Sequence, residues 1–210
     1  MIIEPVESGP FFTVCYLVGD KESRKGIVVD APKDSTAPLL KAASRHSLAI
    51  DLIVNTHGHW DHIADNAALQ HETHAPIAIH RLDEPRIKNP EPVMFQLPFE
   101  VPPTEAGRYL EDGDVIQVGS LRLEVIFTPG HTEGGICLYE RNEKVLFSGD
   151  TLFAGSVGRV DLPGGDWDTL MTSIHERLLT LEDQVTVYPG HGPPTSIGAE
   201  RKRNPFLTQS

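Results

Sequence analysis

Cysteine, long apolar runs and positive charge are all scarce in this chain. Only Cys15 and Cys137 occur. Each lies in an apolar, strand-like stretch, so both are read as buried free thiols. No stretch approaches about eighteen consecutive apolar residues, which excludes a membrane-spanning helix and a membrane partner. The opening Met1-Ile2-Ile3-Glu4-Pro5 lacks the charged and apolar regions of a secretory leader, so a cytoplasmic location is expected. Eighteen Lys and Arg stand against 30 Asp and Glu, a formal net charge of -12. Without basic stripes, nucleic acid is excluded as the main partner. No internal repeat or low-complexity segment interrupts the chain.

What is present suits one domain over residues 1–210: 39% hydrophobic and 23% charged residues in 210 can build a sizeable core. Strands are expected at 11–19, 26–30 and 50–54, with an amphipathic helix from about Ser35 to His46. A helix over 64–74 and a strand over 76–80 continue the alternation. Residues 81–105 hold Pro85, Pro90, Pro92, Pro98, Pro102 and Pro103. They read either as a lid over a site or as a packed connector. Four strands follow, at 115–118, 121–127, 135–139 and 144–147, then a helix over 167–181 and a strand over 185–188.

The densest chemistry lies in Thr56-His57-Gly58-His59-Trp60-Asp61-His62, directly after the apolar run 50–54. Three imidazoles and a carboxylate in six residues would be needless charge and desolvation in a loop that held nothing. Three later strand ends carry the same residue types: His131 in Thr128-Pro129-Gly130-His131-Thr132, Asp150 in Gly149-Asp150-Thr151, and His191 in Pro189-Gly190-His191-Gly192. Seven such donors are too many for one tetrahedral ion. They suit two divalent ions sharing a bridging carboxylate and a bridging water. Two ions about 3.5 to 4 Å apart make hydroxide available near neutral pH, so hydrolysis is the natural chemistry. Zn, Fe and Mn all suit a mixed His and Asp shell, with Zn the first expectation. His46, His71, His74, His80 and His175 lack the strand-end setting and are read as surface or packing residues.

The motif His-x-His-x-Asp-His, then Pro-Gly-His-Thr, Gly-Asp-Thr and Pro-Gly-His in this order, resembles the metallo-β-lactamase superfamily along nearly the whole chain. The resemblance implies a four-layer αββα sandwich in the α/β (α+β) class. It also implies one ion on His57, His59 and His131, a second on Asp61, His62 and His191, and Asp150 bridging them. Within the superfamily, the segments 128–135, 149–159 and 200–206 are most similar to glyoxalase II and its short bacterial relatives. This implies a thioesterase acting on S-D-lactoylglutathione or a related glutathione thioester through a metal-bridging hydroxide. Asp61 would orient that hydroxide. Arg159 matches a basic residue that holds a glutathione carboxylate, and Arg203, with Arg201 and Lys202, offers further positive charge.

The chain departs from full-length glyoxalase II in two ways. It has no room for the C-terminal helical domain, and Asp161 and Pro193 stand where substrate-contacting tyrosines are common. Two rivals share the fold. Persulfide dioxygenases also show a Gly-Arg-x-Asp stretch, here Gly158 to Asp161, and that resemblance implies one iron on His57, His131 and Asp150. Ester or lactone hydrolases are the other. Oligomeric state has no signature in the sequence.

Overall fold

The computed structural model describes residues 1–90 and 99–208. The first half builds one six-stranded sheet from β1 (Ile2–Ser8), β2 (Thr13–Asp20), β3 (Lys25–Val29), β4 (Ala49–Val54), β5 (Ile77–Ile79) and β6 (Arg108–Tyr109), in that spatial order. β1, β2 and β3 pair antiparallel, and β3 to β6 pair parallel. Between them run α1 (Thr36–His46), α2 (Trp60–Ile63), α3 (Asn66–Thr73) and α4 (Glu84–Lys88). The second sheet uses β7 (Val115–Val118), β8 (Leu121–Phe127), β9 (Ile136–Glu140) and β10 (Val145–Gly149) as an antiparallel meander. A small hairpin, β11 (Leu152–Phe153) and β12 (Ser156–Val157), precedes α5 (Trp167–Ser173). β13 (Thr186–Pro189) then joins parallel to β10, β14 (Thr195–Ser196) forms the edge, and α6 (Ile197–Arg203) follows.

Burial on both faces explains why the strand runs are continuously apolar. In β2, Val14, Tyr16 and Val18 pack between the sheets against Ile116, Leu123, Leu138 and Phe147, while Cys15 and Leu17 pack on the other face with Leu39 and Ala43 of α1. The outer face of the second sheet is covered by Leu170 of α5, Ile174 and Leu178 after it, and Ile197 of α6. The result is the four-layer αββα sandwich expected from the motifs. Phe147 is fully buried at its centre, 5.2 Å from the ring of Tyr16 and 5.6 Å from that of Tyr188. Burying a side chain of this size contributes about 2 to 3 kcal/mol. Tyr16 donates its hydroxyl to the carbonyl of Pro189 at 2.6 Å, which ties the first sheet to the end of β13.

Several local expectations shift. The strand expected from residue 11 starts at Thr13, because Phe11 and Phe12 are exposed and Phe12 has a left-handed φ of 55°. Ile2–Ser8, not read as a strand, pairs with β2 along its whole length. The helix expected over 167–181 is α5 followed by a wider, π-type turn over Ile174–Leu178. Within 81–105, residues 84–88 form α4 in spite of Pro85, which sits near the helix start where its missing N–H is harmless. The lid-or-connector question falls largely on 91–98, outside the described residues. Cys15 and Cys137 are free and buried. Among the described residues, no helix is long and apolar enough to cross a membrane.

Candidate metal centre

β8, β10 and β13 run in the same direction, so His131, Asp150 and His191, each just past a strand end, emerge on one rim of the second sheet. His57 follows β4, His59 is the residue before α2, and α2 itself carries Asp61 and His62. All seven side chains converge. Donor atoms lie within 4.8 Å of one another in each of three groups: His57, His59 and His131; His57, His62 and Asp150; Asp61, His62 and His191. Asp150 lies between the other groups. One of its oxygens is 3.3 Å from His62 Nε2, and the other is 3.6 Å from His131 Nε2 and 3.5 Å from His191 Nε2. His191 Nε2 is also 3.3 Å from Asp61.

The far side of the ring is anchored for most of these imidazoles. His131 Nδ1 is 2.7 Å from the carbonyl of Arg159, and His191 Nδ1 is 3.2 Å from that of Phe11. A carbonyl only accepts, so both rings donate from Nδ1 and turn Nε2 into the cluster, where that of His131 lies 2.9 Å from His59 Nδ1 and that of His191 lies 3.3 Å from His62 Nε2. His62 Nδ1 meets Asp30 at 2.9 Å, and His57 Nδ1 meets the Thr56 hydroxyl at 3.1 Å, itself bound to Asp30 at 2.8 Å. Asp30 is fully buried and left-handed, with φ 63°. That conformation suits Asp better than most residues and turns its carboxylate back toward Thr56. The sequence reading took Asp30 only as a strand end. Its distance in sequence from the donors hid it, and only the parallel pairing of β3 with β4 brings it there.

His57 Nε2 and His59 Nε2 are buried with no hydrogen-bond partner, and Asp150 Oδ1 makes no aligned hydrogen bond. Unsatisfied buried groups like these cost about 1 to 3 kcal/mol each unless something binds them. Together with the nitrogen and oxygen donor set, they fit divalent cations.

Burial is the largest influence on His57, His59 and His131 and holds all three below the ordinary 6.5, His59 at about 3. These rings are therefore neutral, the form that donates a lone pair. At His62 burial opposes the charge, but Asp150, Asp30 and Asp61 outweigh it and raise the value. His191 is raised likewise, by Asp61 and Asp150 against burial. Burial works against ionised Asp61 and Asp150 too. The surrounding imidazoles, His62 foremost, win and keep both below the usual carboxylate range.

Five of the seven, His59, Asp61, His131, Asp150 and His191, line a cleft of about 360 Å³. Phe11, Trp60, Phe153, Val157 and Leu162 give it an apolar wall. Arg159 lines it as well, exposed, with its guanidinium bound in a fork to Asp161 at 2.6 and 2.7 Å. Arg203 is exposed in the last turn of α6 and is not among the residues lining the cleft. Of the other histidines, His80 is buried and stacks on Phe127 with ring centroids 4.4 Å apart, and His46 pairs with Glu4. Neither belongs to the cluster.

Residues 8–191 match the model of the metallo-β-lactamase superfamily. The hydroxyacylglutathione hydrolase GloC of Haemophilus influenzae is 34% identical over 99% of this chain and 98% of its own length. The mitochondrial persulfide dioxygenase ETHE1 of Bos taurus is 30% identical over 94% of this chain and 72% of its own. Among solved structures, the BLEG-1 B3 metallo-β-lactamase superposes with a TM-score of 0.89 at 32% identity, covering 99% of this chain and 100% of that one. TTHA1623 in a di-iron-bound form gives 0.83 at 35% identity, covering 97% and 100%. With its four layers, its donor-bearing strand ends and these relatives along nearly its full length, the chain belongs to the metallo-β-lactamase superfamily of metal-dependent hydrolases.

Proposed function

We propose that this chain is a dinuclear thioester hydrolase of the glyoxalase II type, a single domain acting on S-D-lactoylglutathione or a related glutathione thioester. The observation that carries the reading is the convergence of seven donors from four strand ends, with His59, Asp61, His131, Asp150 and His191 lining one cleft. His57, His59 and His131 would hold one divalent ion and Asp61, His62 and His191 the other, with Asp150 between them. Zn is the first candidate, and the di-iron form of TTHA1623 supports Fe as an alternative. Bound there, two such ions supply a nucleophile from water near neutral pH and a Lewis acid for the carbonyl oxygen.

The chain's own groups do the rest. Asp61, held by the Thr13 hydroxyl at 3.3 Å, would orient the attacking water at the cleft floor. The wall of Phe11, Trp60, Phe153 and Leu162 excludes bulk water from the acyl group. The leaving thiolate is stable near neutral pH, so no protein acid is required. Arg159 lines the cleft and can grip a carrier carboxylate, in exchange for Asp161. Arg203 reaches the carrier only outside the cleft. The full-length similarity to the Haemophilus influenzae hydrolase supports this substrate class.

A persulfide dioxygenase is the second reading, favoured by the Arg159–Asp161 fork within Gly158 to Asp161 and by the bovine relative. It would use His57, His131 and Asp150 alone and leave His59, Asp61, His62 and His191 without a role. Metal analysis combined with a thioester, lactone and β-lactam panel decides. About two divalent ions per chain and turnover of lactoylglutathione are expected, with Asp61→Ala losing one ion and most of the turnover. One iron per chain with oxygen uptake on glutathione persulfide sinks the hydrolase reading.

A further inference from the structure

We propose that Asp83 is a positioning residue for one half of the centre: its buried carboxylate clamps the loop bearing His57 and His59 to the loop bearing His131. The proposal rests on the dinuclear reading above and says what holds the three-histidine group in shape.

By position, Asp83 is the residue before α4, where an aspartate ordinarily accepts from the first N–H groups of its own helix. It makes no such bond. Its Oδ2 instead accepts the Gly58 N–H at 2.7 Å and the Thr132 hydroxyl at 2.8 Å, and its Oδ1 accepts the Gly134 N–H at 2.8 Å. Gly58 lies between His57 and His59, and Thr132 follows His131. One side chain thus holds both loops. Asp83 is fully buried, and its nearest cation, Arg86 Nε, stands 3.7 Å away with its guanidinium turned to Glu133 and the Pro163 carbonyl. A carboxylate this poorly paired is costly to bury, and the donors that offset the cost all come from the two loops.

Packing points the same way. A methyl at Gly58 would stand 2.6 Å from Arg86 Cβ, and one at Gly134 would stand 2.6 Å from the Asp83 nitrogen. Both loops are glycine where this segment presses on them. The other half of the centre leans elsewhere: Asp61 on Thr13, His62 on Asp30 and His191 on the Phe11 carbonyl.

Calorimetric titration of the metal-stripped full chain with Zn²⁺ tests this selectivity. In a His191→Ala background, which disables the Asp61, His62 and His191 group, Asp83→Asn should weaken the remaining ion about tenfold or more. In a His59→Ala background the same change should leave affinity within about twofold, the additivity of independent sites. Thr132→Val removes one of the three bonds and should give a smaller loss in the first background only, while Thr132→Ser keeps the hydroxyl and restores binding. Equal weakening in both backgrounds, or none in either, overturns the clamp. If Asp83→Asn does not fold, the Thr132 pair decides by the same criterion. A parent chain that takes up fewer than two ions overturns the dinuclear reading and this proposal with it. Two ions with unselective losses overturn the proposal alone.

Discussion

Replacing Asp30 by Asn alters the chain by one NH₂ for one oxygen and is expected to disarm two ligands at once. The native carboxylate only accepts: from the Thr56 N–H at 2.8 Å, the Thr56 hydroxyl at 2.8 Å and His62 Nδ1 at 2.9 Å. Because the hydroxyl donates to Asp30, it accepts from His57 Nδ1 at 3.1 Å. Both rings then hold their proton on Nδ1 and present Nε2 to the centre. In Asp30→Asn the amide oxygen must stay on the Thr56 N–H, since an NH₂ there would face another donor. The NH₂ then faces His62 Nδ1 and the Thr56 hydroxyl, and the chain of donors reverses. His62 accepts at Nδ1 and moves its proton to Nε2. The hydroxyl now donates to His57 Nδ1 and forces the same tautomer on that ring. Restoring the ligating forms breaks one hydrogen bond per ring, about 1 to 1.5 kcal/mol each. Together that is about 2 to 3 kcal/mol, or roughly 30- to 150-fold in metal affinity. Chelator competition measures the affinity, and long-range nitrogen–proton NMR of the metal-free chain in alkaline buffer reads the tautomers. Native affinity, or protons still on Nδ1, would refute the reasoning.

Three further outcomes are expected. A methyl on Gly190 would stand 2.4 Å from Asp150 Oδ1 and 2.6 Å from His62 Cε1, so Gly190→Ala should lose bound metal and about 1 to 3 kcal/mol of stability; full metal content measured on the folded variant contradicts this. His62 and His191 are raised above the ordinary 6.5 in the metal-free chain. Their stabilisation is therefore complete below pH 6.5 and lost as pH rises through the raised values. An entering ion must displace those protons, so metal affinity should climb with pH and calorimetry in two buffers should detect proton release; binding without proton release fails the prediction. Arg159→Ala should raise KM for glutathione thioesters several-fold while small neutral thioesters are unaffected; equal effects on both remove Arg159 from carrier recognition.

The cluster of candidate donors was legible in the sequence because they are packed into one heptad and three glycine-flanked strand ends. Such residue types in such places have little other physical use. The alternation of apolar strands with helical segments was readable too, since continuous apolar runs belong in sheets covered on both faces; the four-layer order was implied by the family resemblance. The edges were less readable: Ile2–Ser8 has weak alternation and is a strand only because β2 offers it a partner.

By itself the sequence determined the chemistry on offer, seven nitrogen- and oxygen-donor residues near strand ends, while the sandwich that holds them was implied by the family its motifs resemble. Tertiary structure alone decided how those donors are held. Asp30 and Asp83 are ordinary aspartates in the sequence, 26 residues from Thr56 and 25 from Gly58. They reach the centre because β3 pairs beside β4 and because α4 presses on both histidine loops. A hydrogen bond acts over only about 3 Å, and no local pattern in a chain records which distant carboxylate will close that gap.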